Sequence, residues 1–193
     1  MTDSTRTIDK SKAFRIALLM SSALAGACSE GRDSQSIALA CDSFATESFS
    51  YRAVEVPAGC CSMANPDAIF DGDLGSLAEV TVSAGAHHTT TLDGASSTPG
   101  STYDAGSKPG FLIARPATVT TAMLTVQTTL RGEVVETVNG DALNIASPGD
   151  QVEYIFLDSQ FPFDGVRVTV DVENQSDNVR YKVFELCSHA EMD

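Results

Sequence analysis

The chain has 193 residues, 42% of them hydrophobic, with no tryptophan and a net charge of −14. That length suits one domain plus a short extra segment, with enough apolar material for a core. A surface this acidic repels phosphate backbones and anionic headgroups, which argues against a nucleic-acid partner and leaves solubility or cation binding as the uses of the charge.

Lys10, Lys12 and Arg15 precede an apolar run over residues 16–27. The run is shorter than the roughly 20 residues of a membrane span. A basic flank, a short apolar stretch and small residues mark a secretory signal, so residues 1–27 are read as an export address outside the fold. Outside them the chain keeps eight bases against 24 acids, a net −16. The run closes as Leu24-Ala25-Gly26-Ala27-Cys28. This resembles a bacterial lipobox, with Leu24 one place further from the cysteine than usual; an ordinary small-x-small site would cut at the same place. The resemblance implies lipidation of Cys28 and, with Ser29 next, an outer-membrane or cell-surface anchor in a Gram-negative bacterium. Residues 28–36 are polar and read as a tether, leaving 37–193 as the domain.

From there the pattern is one of short strands. Residues 36–40 are a brief apolar run, and residues 51–56 alternate until Pro57 and Gly59 stop them. Residues 60–73 form a turn-rich loop in which Asp71 and Asp73 flank Gly72. Residues 77–83 put Ala78, Val80 and Val82 on one face, with Glu79 and Thr81 on the other. Residues 86–92 are β-prone but polar, which suits an edge or a solvated face. Residues 93–110 are rich in Gly, Ser and Pro and read as a long loop.

Residues 111–114 read as a short buried strand. Residues 122–130 alternate, Arg131-Gly132 reads as a tight turn, and residues 133–138 return as a second arm. Residues 143–146 and 152–157 are further short runs. Residues 166–172 are the clearest strand, with four valines on one face. Residues 179–187 alternate until Val183-Phe184, where the break predicts a bulge or burial on both sides. Many short strands without sustained helical spacing predict an all-β sandwich or barrel.

Five cysteines are an odd number for an exported protein. Lipidation of Cys28 leaves Cys41, Cys60, Cys61 and Cys187, enough for two disulfides with three possible pairings. Adjacent Cα atoms are about 3.8 Å apart, below the usual disulfide range, which disfavours a Cys60–Cys61 bridge. The expectation is that Cys60 and Cys61 take separate partners, Cys41 and Cys187, so that one bridge ties the last strand to the opening loop. A thiolate metal site is the other use of such residues. It lacks C-x-x-C spacing and has only His87, His88 and His189 to help.

The segment Asn65-Pro66-Asp67-Ala68-Ile69-Phe70-Asp71-Gly72-Asp73, followed by Ser76-Leu77-Ala78, resembles the N-x-x-A-x-D-G-D loop of discoidin-like, galactose-binding-like sandwiches. Ser76 and Leu77 stand where the family has Thr and Trp. Phe163-Asp164-Gly165-Val166-Arg167-Val168 and residues 179–187 are similar to that family's last two strands. A cysteine near the start bridged to one at the end also fits the coagulation-factor and discoidin branch. The resemblance implies a jelly-roll β-sandwich of two antiparallel sheets that binds glycan, lipid or protein through loops at one end. It also implies a structural Ca2+ held by Asp71 and Asp73, with a further glutamate whose place on the final strand falls at Tyr181. Read from the residues alone, the two aspartates cap turns through Asx hydrogen bonds.

No nucleophile elbow, H-E-x-x-H or phosphate loop occurs. His87 and His88 are adjacent, so on a strand they face opposite sides and do not share a metal. Tyr103, Phe161 and Phe163 are the candidate platforms for a sugar ring; the other reading of the two phenylalanines is a plug at the end of the sandwich. The sequence thus points to a non-enzymatic, lipid-anchored binding module for glycan or protein. The alternative is a structural accessory subunit of an envelope assembly.

Overall fold

The computed structural model describes residues 39–43, 50–56, 60–96, 98, 100–149, 151–173 and 175–192. The export segment, Cys28 and the tether lie outside the described residues. Twelve strands follow in chain order: β1 (Leu39–Ser43), β2 (Ser50–Val56), β3 (Cys61–Ala64), β4 (Ala78–Val82), β5 (His87–Ala95), β6 (Gly110–Ala114), β7 (Leu124–Leu130), β8 (Glu133–Asn139), β9 (Asn144–Gly149), β10 (Val152–Phe156), β11 (Gly165–Val172) and β12 (Val179–Met192).

They make two antiparallel sheets. One runs β3-β4-β12-β6-β10-β9, with β1 also paired to β12; the other runs β2-β5-β11-β7-β8. Among the described residues the helical pieces are three short 3-10 turns, and no helix is long and apolar enough to cross a membrane. The protein is all-β, a sandwich of two sheets.

The core follows from the alternation. Val166, Val168, Val170 and Val172 of β11 are buried against Ala78, Val80 and Val82 of β4 and Phe111 and Ile113 of β6 in one cluster. A buried hydrogen bond crosses between the sheets, with Tyr181 Oη of β12 donating to Thr90 Oγ1 of β5 at 2.7 Å. The turn from β7 to β8 places Arg131 and Gly132 at φ 56° and 83°, the double left-handed geometry of a tight hairpin. At Gly110 a Cβ would fall 2.1 Å from the Ile155 carbonyl oxygen, so only glycine lets β6 approach β10 this closely.

The polar strand β5 fits the second of its two expectations: it is not an edge but lies between β2 and β11, with His88, Thr90 and Leu92 buried and the alternate residues on an outward face. Two elements differ from the sequence expectation. β3 lies within what reads as a loop; its four residues become a strand by pairing with β4. β12 continues five residues past Cys187, because β1 pairs with that extension.

The expected irregularity at Val183-Phe184 is present as a register shift. Val183 pairs with Ile113, but Glu185, not Phe184, pairs with Leu112. The extra residue re-aims the strand. Before it, Val179, Tyr181 and Val183 point into the main core; after it, Leu186 does. Cys187 joins Leu112 and Tyr154 in a second cluster on the other side of the sheet. Glu185 is thereby turned out of the main core and toward the loop that precedes β4.

Candidate functional site

The loop between β3 and β4 is built from local turns. Asn65 is left-handed at φ 53° and starts the 3-10 turn Pro66–Ile69. Ile69 and Phe70 anchor it in the core at 0% and 4% exposure. Asp71 Oδ1 accepts from the Asp73 amide at 2.8 Å, Asp73 Oδ1 accepts from the Gly75 amide at 2.9 Å, and Ser76 Oγ donates to Asp71 Oδ2 at 2.8 Å. Both aspartates therefore close Asx-type turns, as their residue types alone predict.

Beneath this loop lies Glu185. Its side chain is fully buried. Oε2 accepts from the Gly72 amide at 3.2 Å, and Oε1 has no hydrogen-bond partner among the described residues. Burial pushes its pKa up to about 8; the Gly72 N–H works against that shift, and the negative charges of Asp71 and Asp73 add to it. A buried acceptor without a donor is costly. Asp71, Asp73 and Glu185 are oxygen donors of the kind a hard divalent cation takes, but as the loop stands their oxygens are not gathered within 4.8 Å of one another.

At the place where the resemblance implies a glutamate the chain has Tyr181; Glu185 lies four residues further on. Tyr181 points into the core, and burial there pushes its phenol pKa up. The bulge is the reason for the offset, since it brings Glu185 rather than Tyr181 to the loop side of β12.

The aromatic candidates separate. Tyr103 and Phe163 stack with ring centroids 5.3 Å apart, and their backbones exchange hydrogen bonds at 2.7 and 3.2 Å. Phe163 is fully buried, so it is a plug in the core and not a sugar platform; Phe161 is 56% exposed. Two positions apart on an extended strand they would share a face. The turn that Ser159 Oγ makes by donating to the Phe161 carbonyl, at 2.6 Å, prevents this.

A groove of about 510 Å³ opens beside β6, β10 and β12, lined by Arg115, Ser147, Gln151, Glu153, Arg180 and Lys182. Three bases meet there in a chain with only 12. Arg115 Nε pairs with Glu153 Oε2 at 2.7 Å, leaving Arg180 and Lys182 as the exposed cations. Sequence reasoning missed this groove. The one local signal is that Arg180 and Lys182, two apart on a strand, share a face. A smaller cleft of about 210 Å³ is lined by Ser96, Thr98, Ser101, Thr129 and Asp164 among others.

The disulfides differ from the expected pairing. Cys41 is bonded to Cys187, with Cα atoms 5.4 Å apart, and Cys60 is bonded to its neighbour Cys61. The pairing of β1 with β12 puts Ser43 opposite Cys187 and Cys41 opposite Ala190, with a register shift between Asp42 and Ser43, so Cys41 and Cys187 belong to the same strand pair. Cys61 instead lies on the edge strand β3. Among the described residues two tight groups of potential ligands occur, Cys60/Cys61/His88 and His87/Asp171/Glu173, each with its ligand atoms within 4.8 Å of one another. His87 and His88 do face opposite sides: His87 is exposed and hydrogen-bonded to Asp171 at 2.7 Å, while His88 is 2% exposed. His189 sits on β12 and accepts from the Lys108 amide at 3.2 Å.

No family model matches the chain, and no curated protein matches it.

Proposed function

We propose that this chain is an exported, lipid-anchored, non-enzymatic surface module of the discoidin-like, galactose-binding-like kind. In this reading it is a jelly roll that holds Ca2+ at Asp71, Asp73 and Glu185 and binds a glycan. The observation that carries the reading is the fully buried Glu185, with an unpartnered oxygen, directly under the Asp71-Gly72-Asp73 loop. The resemblance rests on that loop and the last two strands, and the loop meets the second of these, β12. A bound calcium ion supplies the positive charge that lets Glu185 ionise and ties the loop to β12.

The seat for a ligand is the groove of Arg115, Arg180 and Lys182. Its volume is typical of a small-ligand site, and its charge is opposite to that of the whole chain, which favours a glycan bearing acidic groups. The test is binding of the full chain to immobilised acidic and neutral glycans, with the double variant Arg180→Ala and Lys182→Ala beside it. Retention on acidic glycans that the double variant loses supports the reading. No retention on any glycan counts against it.

A second reading, an accessory subunit of an envelope assembly, draws on the sheet edges. Val134 on β8 and Ile145 on β9 are 44% and 43% exposed, and both strands end their sheets. Exposed aliphatics on an unpaired edge suit docking by strand addition. Co-purification of a stoichiometric protein partner from membranes would favour this reading over the first.

A further inference from the structure

The rim of the sandwich brings together three soft ligands that the calcium reading does not use. Cys61 opens β3, on the edge of one sheet, and Cys60 immediately precedes it. His88 lies on β5 in the other, where its backbone pairs with Glu55 of β2 and Val172 of β11. The two sulfurs and an imidazole nitrogen all lie within 4.8 Å of one another. The Cys60 backbone is held by Ser83 Oγ, which donates to its carbonyl. The imidazole is buried, whereas both cysteines are partly exposed.

We propose that reduction of the Cys60–Cys61 disulfide turns Cys60, Cys61 and His88 into a binding site for a thiophilic d10 cation, with Zn2+ as its probe. The reductant is a dithiol donor. The S–S bond breaks, the donor's two thiol hydrogens pass to Cys60 and Cys61, and the donor leaves as its own disulfide. Metal binding then releases the two thiol protons and forms two metal–sulfur bonds and one metal–nitrogen bond.

Two thiolates on one tetrahedral Zn2+ sit roughly 3.8 Å apart, given metal–sulfur bonds of about 2.3 Å. Ligands already gathered within 4.8 Å therefore need only a small convergence, which opening the bridge permits. The donor set is two sulfurs and one imidazole nitrogen, which selects soft or borderline cations over Ca2+ and Mg2+. The fourth position faces the partly exposed cysteine side. The chain would thus carry a hard-ion site on the loop that follows β3 and a redox-gated soft-ion site at the start of β3. Burial also sets the order of reduction. Cys187 is fully buried and Cys41 partly exposed, so Cys41–Cys187 offers a dithiol one accessible residue where Cys60–Cys61 offers two, and Cys60–Cys61 is expected to open first.

The test uses the full chain with Cys28→Ser, so that only the four paired cysteines respond. One equivalent of dithiol reductant is added and removed, and the opened bridge is mapped by alkylation and mass analysis. Co2+ is then titrated as a spectroscopic stand-in and competed with Zn2+. The expected result is a thiolate-to-cobalt charge-transfer band in the reduced chain only, displaced by Zn2+ and lost in Cys61→Ser. His88→Gln should weaken binding by about tenfold or more. Should that variant fail to fold, Zn2+ protection of Cys60 and Cys61 against alkylation in the reduced parent gives the same answer. Absence of the band, absence of protection, unchanged affinity in a folded His88→Gln, or opening of Cys41–Cys187 with Cys60–Cys61 intact would each overturn the proposal.

Discussion

The Gly72 amide and the Glu185 carboxylate meet at 3.2 Å, although 113 positions separate them in the chain. The contact joins the loop between β3 and β4 to the last strand, β12, and holds an acid whose pKa burial pushes up to about 8.

That raised pKa has a signed consequence. Without metal, the folded state holds the Glu185 proton more tightly than the unfolded state, where the value is near 4.5. The contribution to stability is full below about 4.5 and is lost as pH rises toward about 8. Relative to Glu185→Gln, the metal-free parent should therefore lose stability over that interval, read as the difference in Tm between the two chains at pH 5 and pH 8. A pH-independent difference would contradict the burial of an ionisable acid. Added Ca2+ should reverse the loss in the parent and leave the variant unchanged.

Cys41–Cys187 closes a sequence separation of 146 residues. Replacing both with alanine should destabilise the chain by about 3–5 kcal/mol in the chain-entropy account, which grows slowly with loop length. Chemical denaturation of the oxidised parent and the double variant measures this. A change below about 1 kcal/mol would mean that β1 is held by its pairing with β12 alone.

The two phenylalanines should behave oppositely. Phe163→Ala removes a buried ring stacked on Tyr103 and should cost about 3–5 kcal/mol. Phe161→Ala, on an exposed side chain, should stay within about 0.5 kcal/mol. Equal effects would show that Phe161 is covered in solution.

His87 is held above its ordinary 6.5 by its hydrogen bond to Asp171, with the negative charges of Asp171 and Glu173 adding to the shift and partial desolvation opposing it. A raised imidazole value means stability that is present below the unfolded pKa and lost as pH rises through the folded one. NMR titration should place His87 above 6.5, and Asp171→Asn should lower it. No movement in that variant would separate the histidine from its partner.

Much of the framework was legible because it depends on neighbours in sequence. The valines of β11 alternate, so their burial follows from strand geometry alone. The Val183-Phe184 doublet announced the bulge. What the bulge does was not legible, because it depends on a loop more than a hundred positions away coming to rest over Glu185. The same holds for the basic groove, where Arg115 and Arg180 come from different strands. β3 escaped because Cys-Ser-Met-Ala has no strand signal of its own and gains order from β4. The cysteine pairing failed for a related reason. The argument from adjacent Cα spacing was local, whereas the extension of β12 along β1 settled which sulfurs could meet.

Calorimetric titration of Ca2+ into the full chain near neutral pH, run beside Asp71→Ala and Glu185→Gln, tests the account most directly. It predicts one saturable site per chain in the parent, abolished by Asp71→Ala and strongly weakened by Glu185→Gln. No heat from the parent, or an unchanged isotherm in Glu185→Gln, would contradict it.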